Sequence, residues 1–177
     1  QPLRELGEPI ADVIGPMPYT AIQSLLDPLY ARGAKNYFKS GFLGGLDDEL
    51  IDVLARHHED APSPQSEIHV HHFGGAVARV GEGDTAFGHR GAPYVLNLIA
   101  RSDSGEDYEP QVAWAQQLHA ATEPFQSGGS YVNFLTDEGE DKVRSAYEPE
   151  TYARLQRLKA EYDPDNVFAL NQNIVPA

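Results

Sequence analysis

Cysteine is absent from the 177-residue chain, so disulfide bonds, thiolate nucleophiles and cysteine-ligated metal centres are excluded within it. Basic residues are also scarce. The chain has 13 lysines and arginines against 27 acidic residues, which gives a formal net charge of −14. Such a chain repels the phosphates of nucleic acids and the surface of anionic membranes. We therefore expect neither nucleic acid nor membrane among its partners.

Long hydrophobic runs are lacking as well. No apolar stretch approaches the roughly 20 residues that span a membrane, and residues 1–5 do not form a signal peptide. From this we expect a cytoplasmic location. The chain also has no Gly-x-Gly-x-x-Gly fingerprint, no phosphate loop and no Gly-x-Ser-x-Gly elbow. By itself it offers no recognisable site for the diphosphate of a nucleotide.

The sequence has the pattern of a folded α+β domain, and its hydrophobic content of 41% is typical of globular proteins. Helical spacing of apolar residues predicts helices that begin after Asp47, over residues 109–120, over 139–147, and up to Pro164. Strands are predicted at residues 36–42, 67–73, 76–80, 94–101 and 130–135. Because these elements are interspersed with long connections, we expect an antiparallel sheet backed by helices.

The C-terminal end contains the most informative motif. From Tyr162 to Ile174 the chain has the pattern Tyr-Asp-Pro-x-Asn-x-Phe-x-x-x-Gln-x-Ile. Taken alone, this pattern predicts the end of a helix followed by a turn, since a residue before proline leaves the helical region and asparagine tolerates turn geometry. The motif also resembles the C-terminal signature of the berberine bridge enzyme family of FAD-linked oxidases.

Four more segments resemble the same family, in the same order along the chain. Pro-Met-Pro-Tyr at residues 16–19 resembles a recurrent bacterial segment, and residues 36–40 resemble the family's Lys-Ser strand. Residues 73–75 together with 86–90 resemble its Gly-Gly … Phe-Pro-His-Arg segment, and residues 131–134 its Tyr-x-Asn-Tyr segment. Each match is short, but five matches in register extend over nearly the whole chain.

The resemblance implies a substrate-binding domain over residues 1–135, built as a helix-backed antiparallel sheet. It also implies a C-terminal segment over residues 136–177 that returns to the flavin domain. FAD would be the cofactor of the full-length protein, held mainly by an N-terminal FAD-binding domain outside these residues. We therefore expect the chain to be inactive and without FAD when alone. Without that partner domain it should expose an apolar face that could support a homodimer.

The resemblance also assigns site residues. Tyr131 and Asn133, two apart on a predicted strand, match a pair that contacts the flavin, and Asn166 matches an asparagine that approaches the cofactor from the tail. His71 falls where related enzymes carry a substrate-pocket side chain. A histidine there could act as a base, since its reference pKa of about 6.5 suits proton transfer near neutrality. Phe134 replaces a tyrosine that serves as base in several relatives, and it cannot accept a proton.

Tyr37 and Leu96, each on a predicted strand, complete the expected substrate-binding residues. The His-x-His-His cluster at residues 69–72 has alternative interpretations. Strand alternation puts His69 and His71 on one face, where they could bind a metal. No third ligand is evident, so we predict no metal. Plain packing of these histidines within a strand is the remaining interpretation.

Two functions of different classes remain open. The first is the substrate-domain part of an FAD-dependent oxidase. In that enzyme, hydride would pass from a substrate C–H bond to the flavin, a pocket base would remove a proton, and oxygen would be the acceptor. The second is a standalone binding module for a small molecule that has lost redox chemistry, as Phe134 suggests. The residues alone do not decide the substrate, the base, or whether the flavin is attached covalently.

Overall fold

The computed structural model describes residues 2–5, 7–8, 11–12, 14–30, 33–103, 108–136 and 138–177. The chain divides into two compact units, Gln1–Gly33 and Ala34–Ala177. The first contains helix α1, Tyr19–Gln23, and 3₁₀ turns at Pro2–Glu5 and Asp27–Tyr30. Its described apolar side chains are largely exposed, Tyr19 by 73%. The second unit contains the sheet and all the candidate site residues.

The second unit is an antiparallel sheet backed by helices. Its strands are β1, Lys35–Leu43; β2, Glu67–His72; and β3, Tyr94–Ser102. Its helices are α2, Asp48–Glu59; α3, Ala76–Arg79; α4, Glu109–Thr122; α5, Glu140–Ser145; and α6, Pro149–Tyr162. The strand β3 lies between β1 and β2 and pairs antiparallel with both. The α+β architecture predicted from the sequence is confirmed.

The helices α2 and α4 form where the sequence signals them. Asp47 caps α2, because its side chain accepts a hydrogen bond from the Leu50 backbone N–H at 2.9 Å. In α4, a proline occupies the first turn, where its missing N–H costs nothing. Trp114 of α4 donates its indole N–H to the His57 carbonyl oxygen of α2 at 2.8 Å. The two helices are thereby joined by packing and by a hydrogen bond.

The main hydrophobic core lies between these helices and the sheet. It contains Leu43, Leu50, Leu96, Leu98, Ala100, Trp114, Ala115 and Leu118, all buried. Burying a leucine side chain of this kind stabilises a fold by about 1.5–3 kcal/mol relative to exposure. The core therefore depends on the same apolar positions that gave the sequence its helical and strand periodicities.

Alternation along the strands gives the sheet two different faces. The helix face packs against α2 and α4 and carries Tyr37, Leu43, Ile68, Leu96, Leu98 and Ala100. We call the opposite face the polar face; it carries Ser40, Phe42, Glu67, His69, His71, Asn97 and Arg101. The strand register puts Asn97 of β3 between Ser40 of β1 and His69 of β2.

The strand predicted at residues 76–80 is wrong, because this segment forms the short helix α3. Gly75 adopts a left-handed φ of +57°, which turns the chain away from the sheet after β2. The Val77 backbone N–H then donates to the Gly74 carbonyl oxygen at 3.3 Å and starts a helical turn. Apolar alternation over five residues did not distinguish this turn from a strand.

The strand predicted at residues 130–135 is also wrong. A 3₁₀ turn at Val132–Phe134 interrupts it, and the Phe134 N–H donates to the Tyr131 carbonyl oxygen at 2.8 Å. The segment still runs along the outer edge of β1, but hydroxyl groups connect it there. Thr136 Oγ1 accepts from the Phe38 N–H at 2.7 Å, and Ser40 Oγ accepts from the Tyr131 N–H at 3.2 Å. These local side-chain hydrogen bonds replace a regular strand ladder.

The predicted end of the last helix is confirmed: α6 ends at Tyr162 and a turn follows. Asp163 Oδ1 accepts from the Val167 N–H at 2.8 Å, and Lys159 Nζ donates to the Phe168 carbonyl oxygen at 2.8 Å. The expected apolar stripe of α6 is buried only at its start, since Tyr152 is 2% exposed and Tyr162 is 78% exposed. Across the described residues, no helix is both long and apolar enough to cross a membrane.

Candidate functional site

The polar face carries a cluster of charged and polar side chains on β2 and β3. Glu67 Oε2 accepts a hydrogen bond from His69 Nε2 at 2.6 Å, and its Oε1 lies 3.2 Å from Nη1 of Arg101. Arg101 is only 3% exposed and also donates its Nε–H to Asn36 Oδ1 at 2.9 Å. A buried guanidinium paired with a carboxylate in this way holds that carboxylate in a fixed orientation.

His71 lies on the same face, beyond His69. Its ring packs 5.3 Å from the ring of Phe134 and 5.7 Å from that of His69. Burial lowers the pKa of the His71 imidazole below 6.5, and the charge of His69 lowers it further. Its Nε2 is buried and has no hydrogen-bond partner within the described residues. The environment therefore favours a neutral imidazole at this position.

Aromatic rings extend from His71 toward the 3₁₀ turn. Tyr131 packs edge-on against Phe134, with ring centroids 4.8 Å apart, and against Phe87 at 5.6 Å. A cavity of about 200 Å³ opens beside the turn, and Phe42, Phe87 and Tyr131 contribute to its walls. Planar apolar walls of this kind suit a flat ring system, because aromatic side chains stack well against one.

Tyr131 and Asn133 do not share a strand face, since the 3₁₀ turn separates them; that part of the prediction is wrong. The turn nevertheless brings their side chains together. Asn133 Nδ2 donates to the Tyr131 hydroxyl at 2.8 Å. Asn133 is exposed and Tyr131 is half-buried, so the pair combines an apolar ring with accessible polar groups. Their predicted contact with the flavin stays a prediction.

Tyr37 and Leu96 lie on the helix face, opposite His71. Leu96 is fully buried in the core, and Tyr37 packs against that core while its hydroxyl accepts a hydrogen bond from Gln116 Nε2 of α4 at 3.4 Å. A single substrate pocket lined by Tyr37, Leu96 and His71 is therefore excluded. The prediction placed these residues on strands correctly, but a strand pattern does not say which face the helices cover.

Asn166 lies in the turn after α6 with a left-handed φ of +51°, a conformation that asparagine tolerates. Its Oδ1 is buried and has no partner in the part of the chain that is described. The apolar side chains after it are exposed: Val167 by 74%, Phe168 by 80% and Leu170 by 89%. Further along, Gln172 Nε2 donates to the Leu135 carbonyl oxygen at 2.6 Å, which ties the tail to the segment of the 3₁₀ turn. The role of Asn166 at a cofactor stays a prediction.

Glu67 and Asn97 were not identified as candidate site residues from the sequence. Glu67 has the same strand parity as His69 and His71, so alternation alone could have placed a carboxylate beside them. Asn97 interrupts an apolar strand, and it is 2% exposed with an Oδ1 that has no partner in the described part. His89, in the family-like segment at residues 86–90, has a left-handed φ of +58°.

The polar face and the aromatic cavity beside the turn suit some bound groups and not others. No cluster of at least three His, Cys, Asp or Glu side chains suited to a metal occurs in the described residues. The aromatic cavity, with the Asn133 amide in its lining, suits a flat ring with polar edges, and Asn166 is not among the residues that line it. The strongly acidic sequence has no glycine-rich phosphate cradle, so these residues fit the flavin ring and not the diphosphate of FAD.

Comparison with solved structures identifies the class of proteins that share this fold. The chain resembles the crystal structure of 6-hydroxy-D-nicotine oxidase from Arthrobacter nicotinovorans with a TM-score of 0.78 and 24% identity. The alignment covers 99% of this chain and 40% of that one. The sheet and its helices therefore have the fold found in FAD-linked oxidases.

Sequence comparison then confirms the family resemblance. Residues 130–175 match the family model described as Berberine and berberine like. The chain is 28% identical over 176 residues to an FAD-linked oxidoreductase of Dictyostelium discoideum, covering 98% of this chain and 38% of the relative. It is 29% identical over 182 residues to the FAD-linked oxidoreductase YvdP of Bacillus subtilis, and the alignment covers 100% of this chain and 40% of that relative. The chain is similar to these FAD-linked oxidoreductases and spans about two fifths of their length.

Proposed function

We propose that this chain is the C-terminal, substrate-domain part of an FAD-dependent oxidase. The full-length protein would oxidise a small molecule by transferring a hydride from a C–H bond to the flavin, with oxygen as the acceptor. One observation carries the proposal: the polar face, with its histidines, continues through a chain of aromatic rings to the Tyr131–Asn133 turn. That turn lies inside the segment matched by the berberine-like family model.

Each part of this surface has a proposed task. Tyr131 and Asn133 would hold the edge of the flavin ring, because they offer polar atoms beside apolar walls. Asn166, whose Oδ1 has no partner in the described residues, would approach the cofactor from the tail. His71 would line the substrate pocket and is the base predicted from the sequence. Phe134 packs on His71 and excludes water from that side of the imidazole. When bound, the flavin would supply the two-electron acceptor that none of these side chains can provide.

The proposed partner is an N-terminal FAD-binding domain of the full-length protein. The exposed apolar residues after α6 support this, since Phe168 and Leu170 are 80% and 89% exposed. Apolar side chains at such exposure gain stability when another surface covers them. The hydrogen bonds of Lys159 and Asp163 hold the turn in shape before contact. Alone, the chain would be inactive and free of FAD, and it could pair with a second copy through the same residues.

A standalone binding module is the second candidate. Phe134 supports it, because a phenyl ring stands where several relatives carry a tyrosine base. The aromatic cavity would then bind a flat small molecule without converting it. This candidate requires no flavin domain and predicts a colourless protein.

Purification of the protein from its natural source distinguishes the two candidates. Intact mass and flavin absorbance after acid denaturation are the measurements. A mass well above 19.4 kDa with flavin present supports the oxidase, and flavin that stays in the pellet shows covalent attachment. A colourless protein of 19.4 kDa overturns the oxidase and supports the binding module.

A further inference from the structure

The carboxylate of Glu67 is shared between a fixed cation and an imidazole. Its Oε1 faces Nη1 of Arg101 at 3.2 Å, and its Oε2 accepts from Nε2 of His69 at 2.6 Å. Arg101 is buried to 3% exposure by the sheet, so its guanidinium cannot swing away from the carboxylate. The arrangement therefore presents a charged, oriented carboxylate to the ring of His69.

The hydrogen bond to Glu67 determines which nitrogen of His69 is free. Because Nε2 carries the proton donated to Glu67, Nδ1 is the nitrogen with an available lone pair. Nδ1 has no hydrogen bond within the described chain, and the His69 side chain is 35% exposed. A proton arriving at Nδ1 would create an imidazolium that the Glu67 carboxylate stabilises. A carboxylate orients and supports a histidine base by this geometry.

His71 lacks these features. No carboxylate contacts its ring among the described residues, and its Nε2 is buried without a partner there. Its ring faces Phe134 at 5.3 Å. These contacts suit a neutral side chain that shapes a wall. The carboxylate partner, which fixes the proton on one nitrogen and leaves the other nitrogen outside the buried set, belongs to His69.

Asn97 gives an independent indication that a ligand completes the site. It pairs directly with His69 in the strand register and is 2% exposed. Its Oδ1 is buried and lacks a hydrogen-bond donor within the described part of the chain. A buried acceptor without a partner is rare in native proteins and calls for a donor from outside the chain. A substrate hydroxyl or amine held beside His69 would supply such a donor after a small shift of the covering side chains.

We propose that His69, oriented by Glu67, is the proton acceptor of the reaction, with Glu67 and Arg101 as positioning residues, and that the substrate is an alcohol or an amine. This inference rests on the proposed oxidase function. The O–H or N–H bond of the substrate breaks, and its proton moves to Nδ1 of His69. The electron pair left on oxygen or nitrogen would form the double bond to carbon as the C–H pair leaves as hydride. The flavin, when bound, would supply the two-electron acceptor for that hydride.

The test uses the full-length flavoprotein and five variants, with His71→Asn as the direct comparison for His69→Asn. The anaerobic rate of flavin reduction is measured by stopped flow, with a panel of primary alcohols and secondary amines as probes. His69→Asn should reduce this rate by about 100-fold or more, the usual effect of losing a general base. Glu67→Gln should reduce it by about tenfold or more, and Glu67→Asp should restore part of the loss. His72→Asn is the matched control, since His72 lies on the same strand but on the opposite face.

The outcomes separate this inference from the function on which it rests. If His71→Asn loses the rate and His69→Asn keeps it, His71 is the base and the inference is overturned while the oxidase stands. If Glu67→Gln reacts at the wild-type rate with an unchanged pH profile, the role of Glu67 is overturned, even where His69→Asn fails to fold. A full-length protein that binds no flavin overturns both proposals.

A measurement without turnover gives a second test. Nuclear magnetic resonance of the histidine ring nitrogens in the full-length protein without substrate reports which nitrogen carries the proton. His69 should be protonated at Nε2 in the wild-type protein and lose that preference in Glu67→Gln. A merely structural Glu67 would leave the tautomer of His69 unchanged. An Nδ1-protonated His69 in the wild-type protein would overturn the inference.

Discussion

The imidazole of His89 lies against Gly129, so closely that a β-carbon at residue 129 would stand 2.4 Å from ring atoms of His89. Both residues have left-handed backbone conformations, with φ of +58° and +74°. The His89 ring also packs on Phe42 of β1, with centroids 4.7 Å apart. His89 therefore fills the space between the sheet and the glycine turn that leads to Tyr131.

Gly129→Ala is expected to destabilise the protein by about 2–4 kcal/mol. Backbone strain contributes roughly 1–2 kcal/mol, and a clash with a ring that Phe42 prevents from retreating contributes about as much again. Urea unfolding measures the difference. Gly128→Ala is the control, because Gly128 has φ of +90° but a β-carbon added there would meet nothing within 4 Å, so strain alone is expected. Equal losses in the two variants would contradict the packing of His89.

Leu96→Ala tests the assignment of Leu96 to the core. Removing a fully buried leucine should cost about 2–5 kcal/mol of unfolding free energy, through lost burial and the cavity left behind. Leu170→Ala, at a side chain that is 89% exposed, should cost almost nothing in the same denaturation assay. In the full-length protein, the substrate KM should be the same for the Leu96 variant and the wild type. A raised KM with normal stability would return Leu96 to the substrate pocket.

Asp163→Asn should weaken the turn after α6 in a pH-dependent way. The hydrogen bond from Lys159 holds the pKa of the Asp163 carboxyl below 3.8. A lowered folded pKa means that the stabilisation is present above pH 3.8 and is lost as the pH falls through the lower folded value. The difference in melting temperature between wild type and variant should therefore be constant near neutrality and should shrink as the pH falls into the acid range. Asp165→Asn, two residues further on and exposed, should show no such gap.

His119 should make the stability of the protein fall below pH 6.5. Burial lowers the pKa of its imidazole below 6.5, and the charge of Lys39 adds to this, while the hydrogen bond to the Ser40 carbonyl oxygen opposes it. Lys142 and Glu123 also act on the ring, in opposite directions. The unfolded chain then binds the proton first, so stability is complete above pH 6.5 and declines as the pH falls below it.

His119→Gln should show a smaller acid decline than the wild type, because glutamine does not titrate, whereas His71, whose pKa is also lowered, still does. Melting temperatures across the mildly acidic range provide the measurement. His58→Gln on the exposed side of α2 is the matched control and should decline like the wild type. If the melting temperature falls with pH equally in the wild type and both variants, the decline belongs to other groups.

The sequence predicted correctly those helices that begin at a capping residue or end at a proline. Asp47 begins α2 because a carboxylate can accept the free N–H of Leu50. Pro164 ends α6 because the residue before it leaves the helical region. By contrast, apolar and polar residues alternate only briefly at residues 76–80 and 130–135. So short a pattern is compatible with a turn as well as with a strand. Gly75 decides the first case through a local left-handed turn. The hydroxyls of Ser40 and Thr136 decide the second through hydrogen bonds between residues distant in sequence.

Strand alternation predicted which residues of the candidate site share one face of the sheet. It did not predict which face the helices cover. His69 and His71 share a face as their spacing requires. The assignment of Tyr37 and Leu96 to one pocket with His71 failed, because parity relates residues within one strand and does not say which side the helices cover. That side is set by the register of β1 against β3, where Gly41 pairs with Leu96 and Ser40 with Asn97. Register depends on contacts between strands more than 50 residues apart.

The hydroxyl links between β1 and the segment at residues 130–136 have a consequence for how such a protein can diversify. Ser40 and Thr136 hold the segment by side chains, so its backbone is not bound to the spacing of the sheet. Insertions or substitutions around Val132 can therefore reshape the cavity while the strands keep their pairing. Selection can act on ligand preference in this turn almost independently of selection on folding.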